Sequence, residues 1–319
     1  MLILYFRKGL LDNFFIMDYN KDFSIIIPHR NSLRYLPQLF STIPQSDKIE
    51  VILVDNSLDP IKKEDVKIAR EYTLLYSEPK RGAGGARNVG VEKAHGKWLV
   101  FVDADDYLVD DAFDTFYRYF ESDAEVVYFG MVGIYLDTKE FSDRGEFYTN
   151  LVKNYLGGRI SENKLRVSFS SPCSKMVKHD LIRRYQIRFD ECVASNDVFF
   201  SLLVGYYAKR VEAYDKIVYI ATVSKGSLTK RKDYFVMRAR FEVSLRRNKF
   251  LREHDLRQYQ SSVMYYVHEL LRIHLKYIFE ILILLVRYRQ NPFIGFCRWK
   301  NSFFQVLRRD KKDKKYITS

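Results

Sequence analysis

The sequence predicts an α/β fold with a mostly parallel sheet flanked by helices, followed by a basic helical extension. Apolar runs of strand length alternate with helical stretches between residues 23 and 129. Several of these runs end in aspartates, and the strand pattern stops near residue 230. Strands separated by helices need crossover connections, which make neighbouring strands parallel. We therefore expect ligands to bind beyond the carboxyl ends of these strands.

The elements follow from the apolar patterning taken in chain order. The predicted strands are 23–28, 49–55, 72–77, 97–103 and 125–129. The helices predicted between them are 33–43, 64–72 and 86–95. Next come a hairpin in 130–168, helices at 147–156, 180–185 and 197–209, and a closing strand pair before 224. After Lys230 the sequence is predicted to be helical to its end, with Pro292 as the internal breaker.

The net charge of +13 is concentrated in the last third of the 319 residues. Residues 225–319 contain 23 Lys and Arg against 8 Asp and Glu, whereas the rest contains 30 against 32. The segment 225–319 therefore carries +15 and the preceding part −2. We predict three parts: an N-terminal leader at 1–22, an α/β domain at 23–229 and the helical extension at 230–319.

The N-terminal leader and the cysteines give information about the cellular compartment of the protein. Residues 1–8 place their apolar run before the charges and no small-residue cleavage site follows, so this is a poor signal peptide. Met17 is an alternative start for translation, just before the first strand. The three cysteines (Cys173, Cys192 and Cys297) cannot all pair and show no C-x-x-C spacing, which fits a reducing compartment.

The most informative segment is the apolar run 98–102, which ends in three carboxylates, Asp103, Asp105 and Asp106. Carboxylates this close repel one another unless a positive charge lies among them. A D-x-D pair suits a hard divalent cation that shares its oxygen ligands with phosphates. The alternative is structural, with Asp105 or Asp106 capping a helix that begins near residue 110.

Three further segments accompany the D-x-D pair. Residues 24–31 form a buried strand stopped by Pro28, residues 51–57 form a second strand that ends in Asp55, and residues 82–90 form a glycine-rich loop entering a helix. In order and spacing, the four segments resemble those of family-2 glycosyltransferases with the GT-A fold. The resemblance covers residues 23–229. It implies an inverting, metal-dependent transferase that uses a nucleotide-diphosphate sugar, with a uridine donor favoured.

The resemblance also implies roles for individual residues on the donor side. Asp55 would contact the nucleobase or ribose, Asp103 the ribose, and Asp105 an Mn²⁺ or Mg²⁺ ion bridging the two phosphates. The nucleotide-facing residues implied are Pro28, Arg30, Gly84, Arg87 and Asn88. Independently of the family, the loop from Lys80 to Arg87 offers cations and a helix N-terminus, which favour an anion such as pyrophosphate.

The acceptor side is expected in the second half of the domain. Asp197 matches the family carboxylate that deprotonates the acceptor hydroxyl, while Asn196 replaces the usual glutamate. The segments 171–175 and 227–229 resemble those beside the sugar pocket and over the phosphates. The implied acceptor is a glycan or lipid-linked glycan of surface polysaccharide synthesis.

The extension carries the remaining predictions. An apolar stripe at helical spacing runs from Tyr259 to Tyr277, and an apolar run of ten residues, 277–286, follows it. That run is too short to cross a bilayer. Basic residues flank it, so we expect an interfacial helix on an anionic membrane at the cytoplasmic face, a helical cap on the domain, or both.

Three alternatives compete with the transferase interpretation. Gly82-x-Gly84 followed by Asp103 resembles the fingerprint of an NAD(P)-binding Rossmann enzyme, but two strands precede it where one is expected. A nucleic-acid-binding protein would explain the basic pI, but the first 224 residues are slightly acidic and no recognition motif is present. An inactive membrane scaffold of the same fold is the third alternative.

Overall fold

The computed structural model describes residues 19–223 and 231–294, and its centre is a nine-stranded sheet. The strands are β1 (Lys21–His29), β2 (Ile49–Asp55), β3 (Thr73–Tyr76), β4 (Gly96–Phe101), β5 (Tyr107–Leu108), β6 (Val126–Tyr135), β7 (Phe141–Ser142), β8 (Lys175–Lys178) and β9 (Val211–Val223). Their order across the sheet is β3-β2-β1-β4-β8-β6-β9-β5, and β7 pairs with β6. This is the predicted α/β class.

Strands β3, β2, β1 and β4 form a parallel half of the sheet, as predicted. β1 lies in its middle and pairs Ile25 with Val51 on one side and with Val100 on the other. In β4, Trp98 and Phe101 are completely buried. A strand covered by packing on both faces needs this continuous apolar run. The carboxyl ends of β1, β2 and β4 therefore share one edge, where the aspartates follow.

The other half of the sheet is mixed. β8 runs antiparallel to both β4 and β6, and β6 and β7 form the predicted hairpin. The predicted closing strand pair is wrong, because residues 211–223 form one strand, β9, which pairs with β6 and β5. Its partners come from earlier in the chain, and apolar patterning does not reveal such a choice.

Helices cover the sheet. They are α1 (Leu36–Ser41), α2 (Gly82–Lys93), α3 (Ala112–Arg118), α4 (Glu146–Leu156), α5 (Glu162–Ser168), α6 (His179–Arg184) and α7 (Val198–Tyr207). Those predicted at 33–43, 86–95, 147–156, 180–185 and 197–209 are confirmed within a few residues. Neither Asp105 nor Asp106 caps α3, which begins after Asp111.

Two helix assignments differ from the sequence prediction. The helix predicted at 64–72 is wrong: only a single 3₁₀ turn, Lys63–Asp65, is present. Tertiary contacts override the local pattern there, because Val66 and Tyr72 are buried and Arg70 donates to the carbonyl of Ile43 at 2.6 Å. Helix α5 was missed by the sequence analysis. Ser161 caps it, accepting from the backbone N–H of Lys164 at 3.3 Å.

Between residues 231 and 294 the extension forms three helices, where the sequence predicted an almost unbroken one. They are α8 (Tyr234–Glu253), α9 (Met264–Ile273) and α10 (Ile278–Arg287). The chain turns twice before Pro292, and His274 is fully extended between α9 and α10. The turns let α9 and α10 fold back, so that Leu270, Ile281 and Leu284 share an apolar cluster with α8.

Helix α8 ties the extension to the sheet domain. Leu251 packs with Leu202 of α7, Arg247 donates to the carbonyl of Val167 at 2.9 Å, and Arg246 pairs with Asp190. The extension is thus a helical cap on the domain, one of the two roles expected for it. Among residues 19–223 and 231–294, no helix combines the length and apolar character needed to span a bilayer.

Three sequence predictions concern stretches outside the described residues. They are residues 1–18 of the leader, with Met17, the phosphate-covering segment 227–229 and the basic end after residue 294. The predicted boundary between 229 and 230 also falls in such a stretch and stays a prediction.

Helices α5 and α7 approach each other at Gly205. A Cβ built there would lie 2.3 Å from the carbonyl oxygen of Arg166, so the backbones must separate in Gly205→Ala. We expect this substitution to lower the free energy of unfolding by about 1–3 kcal/mol. Gly157→Ala, at the exposed end of α4 with its nearest atom at 3.2 Å, is the control. Urea denaturation of both variants measures the difference, and equal losses would contradict the close packing.

Candidate active site at the carboxyl edge of the sheet

Asp55, at the end of β2, is held entirely by internal hydrogen bonds. His29 lies against it, with Nδ1 at 2.8 Å from Oδ1. Because the backbone N–H of Ser32 donates to His29 Nε2 at 3.0 Å, the proton is on Nδ1. Ser57 and the backbone of Ile61 also donate to the carboxylate. Burial opposes ionisation, but these hydrogen bonds outweigh it and lower the pKa of Asp55.

The neighbouring Asn56 was missed by the sequence analysis. Its backbone N–H donates to the carbonyl of His29 at 2.9 Å, and its side chain is buried. The side-chain Nδ2 has no partner among the described residues, although it is shielded from water. A buried amide without a partner is costly, so it marks a place where a ligand can accept a hydrogen bond. The signal available in the sequence was its position directly after a strand-end aspartate.

Pro28 and Arg30 flank this corner of the sheet. Pro28 is buried in the last part of β1, beyond the residues paired with β4, where its missing N–H costs no bond to that strand. Arg30 follows the strand and is exposed. The structure thus places Arg30 at the carboxyl edge with its charge available to an anion.

The glycine-rich start of α2 is covered by a loop. A Cβ on Gly84 would lie 1.9 Å from the carbonyl oxygen of Asp190, so only glycine permits this approach. The Asn88 side chain donates to the carbonyl of Phe189 at 3.0 Å and accepts from its N–H at 2.8 Å. Both residues therefore hold the segment 189–196, which we call the site loop. The sequence analysis expected them to face the nucleotide.

Arg87 joins the two halves of the site. Its guanidinium donates to Asp103 Oδ1 at 2.5 Å and to Asn196 Oδ1 at 2.9 Å, and it lies over the Phe189 ring. Arg87 is only 5% exposed. Burial opposes its charge, but the nearby Asp103 outweighs that effect and raises the pKa of Arg87. Arg87 thus supplies the cation expected beside the D-x-D pair.

The three aspartates after β4 have different environments. Asp106 is buried, and it accepts from the Tyr219 hydroxyl and the Thr222 backbone N–H, both at 2.7 Å. It therefore ties this turn to β9. Burial raises the pKa of Asp106 to about 7, against the opposing charge of Arg144. Burial, followed by repulsion from Asp103, also raises the pKa of Asp105.

A divalent cation fits this turn on chemical grounds. Asp105 is held in a partly buried turn, where burial first and the nearby Asp103 carboxylate second raise its pKa, so a bound cation there would stabilise its charged form. No three acidic, His or Cys side chains converge as a complete metal site in the described parts of the chain. Mg²⁺ and Mn²⁺ sites that serve phosphates often take one or two carboxylates from the protein and the remaining ligands from substrate and water. Asp105, with Asp103 beside it, meets that requirement.

Asp103 and Asp197 line the same cleft, which has a volume of about 340 Å³. Asp197 lies directly before α7 and has no ion-pair partner among the residues described. Burial raises the pKa of its carboxyl group, and Arg87 opposes the shift. The cleft wall also contains Arg144, which the sequence analysis missed and which donates to the Thr222 carbonyl. Its signal was weak, since it lies in a poorly patterned stretch.

The segment 171–175 forms one wall of the cleft and continues into the core. Ser171, Pro172 and Cys173 line the cleft, whereas Lys175 is completely buried. The Lys175 ammonium donates to the Phe169 carbonyl at 3.4 Å and lies 5.6 Å from the centre of the Tyr128 ring. Burial lowers the pKa of Lys175 to about 7.

Comparison with known proteins gives the family. The sequence model described as glycosyl transferase family 2 matches residues 24–186, half of the chain. The chain therefore belongs to glycosyl transferase family 2. This confirms the resemblance drawn from the four motifs.

Individual relatives are more distant. The putative glycosyltransferase EpsH of Bacillus subtilis is 25% identical over 219 residues, which are 65% of this chain and 62% of EpsH. Glycosyltransferase GlyA of Streptococcus pneumoniae is 29% identical over 225 residues, 65% of this chain and 31% of GlyA. The chain thus spans less than two thirds of the length of either relative.

A crystal structure of Staphylococcus aureus TarS, residues 1–349 with UDP-GlcNAc, superposes with a TM-score of 0.54. It is 21% identical, and the match covers 71% of this chain and 65% of that one. The shared fold is the GT-A architecture predicted from the sequence.

The lowered pKa of buried Lys175 predicts that the stability of the protein depends on pH. Its pKa is lower in the folded than in the unfolded chain, so between pH 7 and about 10 the unfolded state binds more protons. This contribution makes the free energy of unfolding rise with pH across that window, by about 1.4 kcal/mol per pH unit at most. Lys175→Met keeps the volume and removes the titration. We expect urea denaturation at pH 7 and 9 to show a steeper rise for the wild type; equal slopes would contradict it.

Proposed function

We propose that this protein is an inverting, metal-dependent glycosyltransferase. It would move a sugar from a nucleotide-diphosphate sugar to a hydroxyl of a glycan or lipid-linked acceptor in surface polysaccharide synthesis. The observation that carries the proposal is that Asp103, beside the expected metal ligand, and Asp197, the expected base, line one cleft. A donor and an acceptor can meet there.

The donor side has a distinct group for each part of the nucleotide. Asn56 offers an unpartnered amide for the base, and Asp55 supports that corner through its internal hydrogen bonds. Asp103, oriented by Arg87, would accept from ribose hydroxyls, and exposed Arg30 would approach the diphosphate. Family membership and the TarS structure with UDP-GlcNAc support a uridine nucleotide as the first donor to test.

Asp105, with Asp103 beside it, would hold Mn²⁺ or Mg²⁺. When bound, the ion supplies charge neutralisation for the departing nucleotide diphosphate. The protein supports this by keeping the D-x-D turn rigid, through Asp106 and its bonds to Tyr219 and Thr222.

Asp197 would act as the general base. The acceptor oxygen forms a bond to the anomeric carbon and its proton passes to the Asp197 carboxylate. The bond from that carbon to the diphosphate oxygen breaks, and its electron pair leaves with the nucleotide diphosphate. Attack opposite the leaving group inverts the anomeric configuration. Burial that raises the pKa of Asp197 makes it a stronger base than an exposed aspartate.

We further propose that the enzyme works at the cytoplasmic face of the membrane as a peripheral protein, close to a lipid-linked acceptor. The +15 charge of residues 225–319 supports attraction to anionic lipids. Membership of glycosyl transferase family 2 argues against the NAD(P)-dependent alternative. The inactive scaffold of the same fold is the alternative that the binding experiment distinguishes.

Donor binding can be tested by the thermal stability of the protein. A ligand that binds only the folded state raises the melting temperature, so UDP should stabilise the protein when Mn²⁺ is present. Asp105→Asn should abolish the Mn²⁺-dependent part of the shift. Asp110→Asn removes the same charge at an exposed position nearby and should retain it.

Thermal-shift measurements with UDP, GDP and NADH, each with and without Mn²⁺, compare the alternatives. Stabilisation by NADH without metal would overturn the transferase proposal. Binding of UDP without any turnover of UDP-sugars would favour the inactive scaffold.

The role of Asp197 as the general base can be tested by substitution. We expect Asp197→Asn to lower kcat by about 10²–10⁴-fold, the usual range for a lost general base, without weakening UDP binding. The wild-type rate should rise with pH through a pKa above the ordinary aspartate range. Asp215→Asn, at an exposed position, is the control. UDP release measured across pH tests both points, and an unchanged kcat in Asp197→Asn would refute the role.

A further inference from the structure

One side of α10 is apolar and exposed. Phe279, Leu282, Ile283 and Val286 recur at spacings of three and four residues, which places them on one arc of the helix. Leu275, just before α10, continues this surface. These five side chains, which we call the α10 apolar face, are each between 50% and 76% exposed.

The rotation of α10 is set by its other side. Ile281 and Leu284 are buried in the cluster with α8. Glu280 also points inward, accepting from the Tyr234 hydroxyl at 2.5 Å and from Arg238 at 2.6 Å. Turning the apolar face inward would break these bonds and expose the buried leucine and isoleucine. The face is therefore held outward by the fold itself.

The position of this face relative to the active site is also fixed. Helix α8 carries α10 and is joined to the site loop through Arg246 and Asp190. Ala194 of that loop belongs to the same apolar cluster as Ile281. The outward face is therefore part of the same packed body as the cleft.

The charged residues next to the α10 apolar face indicate what kind of partner covers it. Cations border it: Arg272 and Lys276 come before it in the chain, and Arg287 and Arg289 follow it, all of them exposed. Among the described residues, only Arg272 of these four has an ion-pair partner, Glu269. A second copy would bring the same cations against one another around a two-fold axis. An anionic surface instead complements them.

We propose that the α10 apolar face is a membrane-docking surface that inserts into the interfacial layer of an anionic bilayer. The helix lies in the membrane plane, with its apolar side chains among the acyl chains and its flanking cations at the lipid headgroups. Ten residues are too few to cross the hydrocarbon layer, so α10 rests on one leaflet. This deepens the peripheral placement proposed above by identifying the surface that makes the contact.

The test is co-sedimentation of the full-length protein with vesicles of phosphatidylcholine, alone or mixed with phosphatidylglycerol. We expect pelleting with the anionic vesicles and at least a tenfold lower partition coefficient for Phe279→Glu/Val286→Glu. Phe141→Glu/Leu156→Glu places the same charges on exposed apolar residues elsewhere and should bind like the wild type. Arg287→Gln/Arg289→Gln should weaken binding about fivefold per cation.

Two outcomes would overturn the proposal. One is wild-type binding that survives Phe279→Glu/Val286→Glu, which would assign the attraction to other basic parts of the chain. The other is no vesicle binding by the wild type; a dimer that this variant dissociates in gel filtration would then make the face a contact between copies. A cooperative melting transition without ligand or vesicles confirms that each variant is folded, and UDP-dependent thermal stabilisation is measured in parallel. The UDP measurement separates failure of docking from failure of the transferase proposal.

Discussion

The buried guanidinium of Arg87 is the interaction on which the site depends. It joins Asp103, after β4, to Asn196, before α7, although the two are almost a hundred residues apart in the chain. A charge this deeply buried is stable only when it is paired. Removal of Asp103 or Asn196 would therefore leave polar groups of Arg87 buried without a partner and lower the stability of the folded state. Through Asp103 and Asn196, Arg87 thereby holds the D-x-D turn and the segment before the expected base at one cleft, which Asp103 and Asp197 both line.

The site loop extends this constraint to the rest of the molecule. Gly84 and Asn88 of α2 hold it from one side, through a close backbone approach and two hydrogen bonds to Phe189. Arg246 of α8 holds it from the other side through Asp190. The helical extension is thus part of the scaffold of the cleft. A membrane contact made by α10 would therefore connect, through α8 and the site loop, to the residues that we propose to carry the reaction.

Most of the sheet and the donor-side motifs could be predicted from the sequence. Strands such as β1 and β4 have unbroken apolar runs because both of their faces are covered. The roles of Gly84 and Asn88 could not be read in this way. A glycine-rich helix start is compatible with a phosphate site and with close packing, and only the position of Asp190 reveals the close packing at Gly84. Asn56 and Arg144 lay outside the patterns considered.

The sequence by itself determined the fold class, the family and the edge of the sheet where the aspartates gather, since these follow from local periodicity and motif order. Tertiary structure decided which of the aspartates are used in internal hydrogen bonds and which are available to a ligand. Asp55 and Asp106 are consumed by internal hydrogen bonds, while Asp197 lines the cleft without an ion-pair partner among the described residues. The breaks between α8, α9 and α10 were also decided there. Partner choice across long sequence separations depends on packing, and local patterns carry no information about it.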